Sequence, residues 1–307
     1  MTPFKVVAFA GASNWPFWAA ESKGLFAREG LAVSLDFTPD SIALARNLHA
    51  GVYDLALSSI DNIVAYDEGQ GEIDLGGRAD FVALFGIDNG LLSVVARPDI
   101  RTFADLKGRT VSVDAMTTGF AFVLRELLSR NGLSEGDVEY VKVGGGAQRL
   151  TALIENQQTA TLLNAPLDII AESKGCRRLG YARDAIGAYQ GVVGASRRDR
   201  VAADGQRMEA FIRAFHAGTM WLADLTNRAE AAELLCARMK GMQRPIAEQA
   251  YERLLDPDHG LYRDLRIDRE GVQTVLRLRS KYALDRQTLT DPDRYIDESI
   301  LERALNR

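Results

Sequence analysis

Short apolar runs alternate with amphipathic segments over the first 190 or so residues, and this pattern is typical of parallel α/β units. The first unit opens with a buried strand pattern at Lys5–Phe9 and a helix that ends before Gly30. A second strand follows at Leu31–Phe37, where apolar and polar residues alternate. The unit is completed by a helix over Ile42–Leu48, a strand over Asp54–Leu57 and a helix over Ile60–Glu68.

The same order of elements recurs in a second unit that begins with a strand at Thr110–Val113 and a helix at Phe120–Arg130. From the second strand of each unit onward, the two units align at an offset of 106 residues. The alternative explanation is that all βαβ units share a similar spacing of apolar residues. Both explanations predict two α/β units in tandem. The matching pairs are Leu35/Val141, Phe37/Val143, Leu44/Leu150, Leu48/Ile154, Leu57/Leu163, Ile63/Ile169, Val64/Ile170, Ala65/Ala171 and Gly69/Gly175.

Two β-rich, glycine-punctuated segments, Val82–Ala96 and Tyr189–Ala195, flank the second unit. They predict a chain that crosses twice between two lobes, with residues 1–88 and 193–307 in the first lobe and 89–192 in the second. The chain after Asp204 reads as helices without strands, so we expect it to pack onto the first lobe as an outer layer. These helices are predicted at Asp204–Leu225, Arg228–Lys240, Pro245–Leu255, Asp268–Tyr282 and Asp291–Asn306.

Composition narrows the function. With 47% hydrophobic and 26% charged residues the chain can bury a full core, and its net charge of −5 argues against a nucleic-acid partner. No apolar run reaches 18 residues, which argues against a membrane-spanning helix. The N-terminus lacks the pattern of a signal peptide, so we expect either a cytoplasmic protein or a mature, exported form. Cys176 and Cys236 have no C-x-x-C spacing and predict no disulfide framework.

The common catalytic motifs are absent: the sequence has no H-E-x-x-H, G-x-S-x-G, Walker P-loop or zinc spacing. His49, His216 and His259 lie in or beside predicted helices, which favours structural roles. Gly144–Gly146 follows a strand and precedes a helix, but it lacks the full dinucleotide register and is better explained as a flexible loop. The sequence therefore predicts no catalytic residue, no metal and no cofactor.

The candidate site is defined by position, because ligands of open parallel α/β units bind beyond the carboxyl ends of the strands. There the chain places short hydroxyl or amide side chains, several with aromatic neighbours. Helix capping is the alternative for each position, and the helical spacing of Trp18 is also compatible with a core residue. The loop Thr117–Gly119 is the strongest candidate, since hydroxyls and free N–H groups at a helix start can hold an anionic oxygen. The predicted ligand-binding residues are Asn14, Trp15, Trp18, Ser58, Ser59, Asp88, Thr117, Thr118, Gly119, Phe120, Asn164 and Tyr189.

Four stretches resemble the solute-binding proteins of nitrate, sulfonate, taurine and thiamine-pyrimidine ABC importers. The stretch NWPFWAAESKGLFAREGLAVSL is similar to that family's opening, LHAGVYDLALSS to its Gly-x-x-Asp element, and FADLKGRTVSVDAMTTGF to the start of its second lobe; DPDRYIDESILERAL resembles its helical close. The resemblance implies a type II periplasmic-binding-protein fold, with two Rossmann-like βαβ lobes joined by a two-strand hinge and a helical C-terminal layer on lobe one. It also implies Venus-flytrap closure on a small molecule, a membrane permease as partner, a periplasmic location and a monomer.

Two rival functions remain open at this stage. Some relatives of this family are biosynthetic enzymes of the thiamine-pyrimidine or menaquinone type, and a ligand-sensing module of a regulator is the other possibility. As for the ligand, we find no arginine on a strand-end loop, since Arg46 and Arg149 lie on helices and Arg78 precedes a strand. A strongly anionic ligand usually recruits a guanidinium. We therefore expect a neutral, zwitterionic or weakly acidic ligand with a flat apolar part, such as a pyrimidine or an aromatic acid, with sulfonates as the further class that the family suggests.

Overall fold

The computed structural model describes residues 1–256, 259–285 and 287–306 and contains two five-stranded sheets flanked by helices. The predicted α/β class is confirmed. The strands are β1 Thr2–Ala8, β2 Leu31–Phe37, β3 Leu55–Ser59, β4 Phe81–Gly86, β5 Leu92–Ala96, β6 Arg109–Val113, β7 Val138–Lys142, β8 Ala160–Asn164, β9 Arg177–Tyr181 and β10 Val192–Arg197.

Four of the described helices begin where a short polar side chain accepts a hydrogen bond from a free N–H group. Asp40 accepts one from the Ala43 N–H at 2.7 Å, and Asp268 accepts one from the Gly271 N–H at 3.0 Å. The helices are α1 Trp15–Ser22, α2 Leu25–Arg28, α3 Ser41–His49, α4 Ile60–Asp67, α5 Gly119–Arg130, α6 Gly146–Ile154, α7 Leu167–Ser173, α8 Ala182–Ile186, α9 Arg198–Ala223, α10 Arg228–Arg238, α11 Arg244–Leu254, α12 Arg269–Tyr282 and α13 Ser299–Ala304.

The two sheets share one topology. The first has the order β2-β1-β3-β10-β4 and the second the order β7-β6-β8-β5-β9. In each, three parallel strands come from one βαβαβ unit, and the fourth, β10 or β5, runs antiparallel to its neighbours. The segment expected to be one extended crossing, 82–96, is therefore two strands in different sheets. The chain passes between the sheets from β4 to β5 and again from β9 to β10, as a two-strand hinge requires.

The offset predicted from the sequence also holds for the elements. Each of β1, β2, α3, β3 and α4 has a counterpart in the second unit, in the same order, whose ends lie 105 to 107 residues further along. Strand β9 was not predicted, because its sequence, RRLGY, is basic and lies at the sheet edge, where side chains stay partly exposed.

The C-terminal helices pack onto the first lobe as expected. Phe211 of α9 stacks on Phe4 of β1 at 5.0 Å and on Phe26 of α2 at 5.2 Å between ring centroids. Each such buried ring contributes about 1.5–3 kcal/mol relative to an exposed one. Helix α9 starts at Arg198, earlier than predicted, and contains one non-helical residue at Asp204.

The same layer also reaches the second lobe, which the sequence did not predict. Lys281 and Tyr282 of α12 donate to Glu126 of α5 at 2.7 and 2.9 Å, and Arg253 of α11 pairs with Asp168 of α7. The C-terminal layer therefore bridges the lobes. The lobe boundaries stay a prediction, whose last residue, Arg307, lies outside the described residues. Among the described helices, none is long and apolar enough to span a membrane.

Candidate functional site

The strand-end turns of the two lobes meet at one cleft. The Gly119 N–H at the start of α5, in the second lobe, lies 2.7 Å from Oδ2 of Asp61 in α4, in the first lobe. A second approach joins the loop after β1 to the end of β8, because a methyl group on Gly11 would lie 3.8 Å from Nδ2 of Asn164. The structure therefore brings the predicted turns of both lobes together.

Asp61 is the centre of the contact, although the sequence analysis did not select it. Besides the bond from Gly119, its two carboxylate oxygens accept hydrogen bonds from Nη1 of Arg279 at 2.7 and 2.8 Å. The Arg279 side chain is 0% exposed and that of Asp61 is 3% exposed. Arg279 also donates to the side chain and the backbone carbonyl of Gln70, at 2.9 and 3.3 Å. The opposite charges of Asp61 and Arg279 are thus paired inside the protein, and their hydrogen-bonding groups have partners there.

Arg279 reaches the cleft from α12, a helix of the C-terminal layer. It follows Val272, Val275 and Leu276 on the buried stripe of that helix, and its guanidinium lies 5.3 Å from the centre of the Phe122 ring of α5. The sequence contains one signal for this residue, an arginine on an otherwise apolar stripe of a helix. Such an arginine is buried and therefore needs a buried partner. As expected from the sequence, this arginine does not lie on a strand-end loop; its guanidinium reaches the turns from a helix far along the chain.

The second arginine near the turns is Arg149. It lies on α6, as predicted, yet its guanidinium folds back to donate to the carbonyls of Gly144 and Leu162 at 2.8 and 3.2 Å. Burial lowers its pKa, which the nearby Asp114 partly opposes. Its Nε lacks a hydrogen-bond partner. Arg149 thus lines the same strand-end region as Asn164, whose Oδ1 would lie 3.6 Å from a methyl group on Gly146.

In the loop Thr117–Phe120, one threonine caps helix α5 and the other has a hydroxyl without a hydrogen-bond partner. Thr118 caps α5, accepting from the Ala121 N–H at 3.4 Å and donating to Oδ1 of Asp114 at 2.6 Å. The capping explanation thus accounts for Thr118. Oγ1 of Thr117, in contrast, is buried without a hydrogen-bond partner, and Phe120 is partly buried. In this loop, the Thr117 hydroxyl therefore makes no hydrogen bond within the protein.

Ser58 and Ser59 lie on the first-lobe side of the cleft, at the end of β3. Ser59 caps α4 and accepts from the Asp61 N–H at 3.3 Å, while Ser58, fully buried, accepts from Nδ2 of Asn62 at 3.1 Å. Both positions are accounted for by local structure. They nevertheless fix Asp61 at the first turn of α4, where its charge also meets that helix's own N-terminal dipole.

Asp88 and Tyr189 belong to the two crossings and are buried. Oδ1 of Asp88 accepts from the N–H groups of Gly90 and Val192 at 2.8 and 3.1 Å. Burial raises the pKa of Asp88, and bonds from Ser13 and these N–H groups oppose the rise. Burial likewise raises the pKa of Tyr189; Asp61 raises it further, and Ser59 lowers it. Oδ2 of Asp88 and the Tyr189 hydroxyl have no hydrogen bond of normal geometry.

The remaining candidates lie at the start of the first lobe. Both amide hydrogens of Asn14 are used within its own loop, on the carbonyls of Phe9 and Gly11 at 2.8 and 3.0 Å. Trp15 meets the Tyr251 ring edge-on at 5.9 Å between centroids, and its indole Nε1 is buried without a partner. Trp18 lies in the hydrophobic core of the first lobe, as its helical spacing allowed. Among the described residues, no group of three or more His, Cys, Asp or Glu side chains could hold a metal ion.

Two α/β lobes of identical topology, joined by two crossings and facing each other through strand-end turns, define the type II periplasmic-binding-protein fold. The family comparison agrees: residues 12–229 match the NMT1/THI5-like family model, and the chain belongs to that family. A search of curated proteins gives no significant sequence match.

Solved structures show the same fold at low sequence identity. A protein from Bordetella bronchiseptica RB50 superimposes with a TM-score of 0.81 and 20% identity, covering 100% of this chain and 98% of the other. The periplasmic nitrate-binding protein NrtA from Synechocystis PCC 6803 gives 0.79 and 15%, over 100% and 89%. The periplasmic aliphatic sulphonate binding protein SsuA from Escherichia coli gives 0.73 and 18%, over 97% and 92%.

Proposed function

We propose that the protein is the solute-binding component of an ABC importer and captures a small organic molecule between its lobes by hinged closure. In this proposal it transforms no substrate, works as a monomer in the periplasm, and delivers its solute to a membrane permease. Two relatives of the same fold are named as nitrate-binding and sulphonate-binding proteins, which supports the carrier role. The energy of ligand binding then needs only to exceed the difference between the open and closed states.

The observation that carries the proposal is a set of buried polar atoms that lack a well-formed hydrogen bond and belong to predicted ligand-binding residues. Oδ2 of Asp88, Oγ1 of Thr117, Nε1 of Trp15 and the Tyr189 hydroxyl are all buried without a well-formed hydrogen bond. All four belong to residues that were predicted to bind the ligand. Leaving a buried polar group unpaired costs about 1–3 kcal/mol, and a bound ligand or water would remove that cost.

The chemistry of these atoms suggests the kind of ligand. Three are hydrogen-bond donors, on Thr117, Trp15 and Tyr189, and the Asp88 carboxyl completes the set as an acceptor or, when protonated, a donor. Asp61 and Arg279 neutralise each other, so the cleft offers no free net charge from this pair. This set favours a flat neutral, zwitterionic or weakly acidic molecule with several polar edge atoms, such as a pyrimidine or an aromatic acid, over a sulfonate.

The test is a thermal-shift screen of the purified protein over pyrimidines, aromatic acids, amines and sulfonates, followed by calorimetric titration of each hit. At a ligand concentration one hundred times the dissociation constant, binding adds about 2.7 kcal/mol to the free energy of unfolding. We expect at least one pyrimidine or aromatic acid to bind without being altered. Absence of binding in every class, or turnover of a bound pyrimidine or quinone precursor, would overturn the carrier proposal in favour of an enzyme.

A single variant locates the site. Thr117→Val removes the unpartnered hydroxyl and keeps the side-chain shape, so we expect it to weaken ligand binding about tenfold, as loss of one hydrogen bond of about 1.4 kcal/mol implies, with a melting temperature of the unliganded protein equal to or above the native value. Thr151→Val is the matched control, because Thr151 is exposed on α6 and bonds only to the Ala147 carbonyl at 3.1 Å. Equal affinities of the two variants would remove the α5 loop from the site.

A further inference from the structure

We propose that Asp61 is a built-in counter-anion: its carboxylate occupies an anion-binding position at the start of α5 and thereby keeps the anionic group of a solute away from that position. The inference about Asp61 deepens the proposed function. It rests on that function only in its consequence for which solutes are bound. The geometry itself can be tested without knowing the natural solute.

Three sources of positive potential converge on the Asp61 carboxylate. The free N–H of Gly119 lies at the start of α5, a helix of 12 residues, and points to Oδ2 at 2.7 Å. The guanidinium of Arg279 contacts both oxygens, and Asp61 also occupies the first turn of its own helix, α4. Helix N-termini and a buried arginine are the elements from which proteins build sites for carboxylate, sulfonate or phosphate groups.

Gly119 shows how closely the carboxylate fits. A side chain carbon added at Gly119 would overlap the Cβ and Cγ of Asp61, so the absence of a side chain there lets the carboxylate reach the backbone N–H. The feature singled out in the sequence, two hydroxyls and a glycine at a helix start, is thus a real anion position. It is already occupied by a group of the protein itself.

A complete anion pocket would remain if that carboxylate were taken away. Arg279 would keep its bonds to Gln70 and its place over Phe122, and the Gly119 N–H would be free. The Tyr189 hydroxyl, buried and without a well-formed bond, lies close enough for Asp61 and Arg279 to affect its pKa. In the native chain a diffusing anion must compete with a tethered carboxylate of high effective concentration. The native chain should therefore select solutes whose polar groups at this point are neutral.

The test is rescue of Asp61→Ala by formate and nitrate, two small planar anions that suit the space left by a carboxylate. With Arg279 unpaired, the variant should melt at a lower temperature than the native protein. Each anion should raise that temperature saturably, by roughly 2 °C or more over sodium chloride of equal ionic strength. Calorimetric titration should show at least tenfold tighter binding of formate to Asp61→Ala than to the native protein.

Two controls separate a specific site from a general salt effect. Asp61→Ala/Arg279→Met lacks the guanidinium and should show no saturable response, and Asp61→Asn fills the space and should bind formate no better than the native protein. If Asp61→Ala does not fold in chloride, recovery of folded protein on refolding in formate, compared with the double variant, gives the same answer.

Three results would overturn the inference: saturable binding of formate, nitrate or ethanesulfonate to the native protein; no response of Asp61→Ala to either anion; or an equal response of the double variant. Anion binding to the native protein would contradict the counter-anion while leaving the carrier proposal intact. A solute screen without hits would contradict the carrier proposal, and the rescue experiment could still be interpreted.

Discussion

Two buried aspartates lie in the first turns of equivalent helices of the two lobes and are used differently. Asp61 is the second residue of α4, and Asp168 is the second residue of α7, the counterpart of α4 in the other unit. Each pairs with an arginine from the C-terminal helices: Asp61 with Arg279 of α12, and Asp168 with Arg253 of α11. The C-terminal layer therefore supplies a cation to each half of the internal repeat.

The surroundings of the two pairs differ. Arg279 is fully enclosed, whereas Arg253 and Arg178, the two arginines near Asp168, are each 17% exposed and lie over the Tyr181 ring at 4.7 and 4.6 Å. Asp168 also accepts from the hydroxyl of Ser93 at 2.7 Å and from the Ile169 N–H at 2.9 Å. An acidic residue in the first turn of these helices therefore links the two lobes where its arginine partner is sealed from water and its other bond crosses to the opposite lobe, as at Asp61.

The largest effect should come from Arg279→Met. This change leaves the Asp61 carboxylate buried without its cation, and breaking a buried pair by removing one partner costs about 3–5 kcal/mol of the free energy of unfolding. Urea denaturation measures the loss. Asp61→Asn/Arg279→Met should recover a large part of it, because neither charge is then stranded. A single variant as stable as the native protein would show that water reaches Asp61.

Arg253→Met should cost less, about 1–3 kcal/mol by the same denaturation, because Asp168 keeps Arg178, Ser93 and the Ile169 N–H as partners. The two arginine-to-methionine changes form a matched pair of the same size and chemistry. A cost for Arg253→Met equal to or above that for Arg279→Met would break the contrast between the sealed and the partly exposed pair.

The smallest effect concerns a third ionic contact of the C-terminal layer, on Glu126 of α5. Burial alone would raise the pKa of Glu126, but hydrogen bonds from Lys281, Arg130 and Tyr282 outweigh it and lower the pKa to about 2. Because the pKa is depressed on folding, this stabilisation is complete above the unfolded value near 4.5 and is lost as the pH falls toward 2.

Glu126→Gln should therefore cost about 1–2 kcal/mol at pH 7, a modest value because its basic partners are about half exposed. The difference in urea midpoint between native protein and variant should shrink steadily between pH 4.5 and pH 2. A difference that stays constant over this range would indicate a packing effect instead of a charge interaction.

Much of the site could be predicted because strand-end positions follow from local patterns. Thr117 and Trp15 were selected at turns beyond predicted strands, and Asp88 and Tyr189 beside the two crossings; each has a buried polar atom without a well-formed hydrogen bond. Thr118 and Ser59 were selected by the same rule, and they cap α5 and α4. The rule cannot separate the two groups, because capping depends on which N–H group each hydroxyl faces.

Asp61 and Arg279 could not be found in the same way. They are 218 residues apart, and neither belongs to a motif that specifies the other. The position of Arg279 on the apolar stripe of α12 indicates that it has a buried partner but not which one, and Asp61 looks like an ordinary acidic residue in the first turn of α4. Only the packing of α12 against α4 and α5 makes them partners.

Local sequence patterns alone were enough to predict the α/β class, the repeat at an offset of 106 residues and the double crossing, and they select the strand-end turns proposed to bind the ligand. These depend on hydrophobic periodicity and on short polar residues at the ends of strands, both of which are properties of neighbouring residues. The tertiary structure alone decided that the C-terminal helices join both lobes and that the protein's own carboxylate fills the α5 anion position. A buried charge takes its partner from whatever the fold brings within hydrogen-bonding distance, and that distance is set by the packing of helices far apart in the chain.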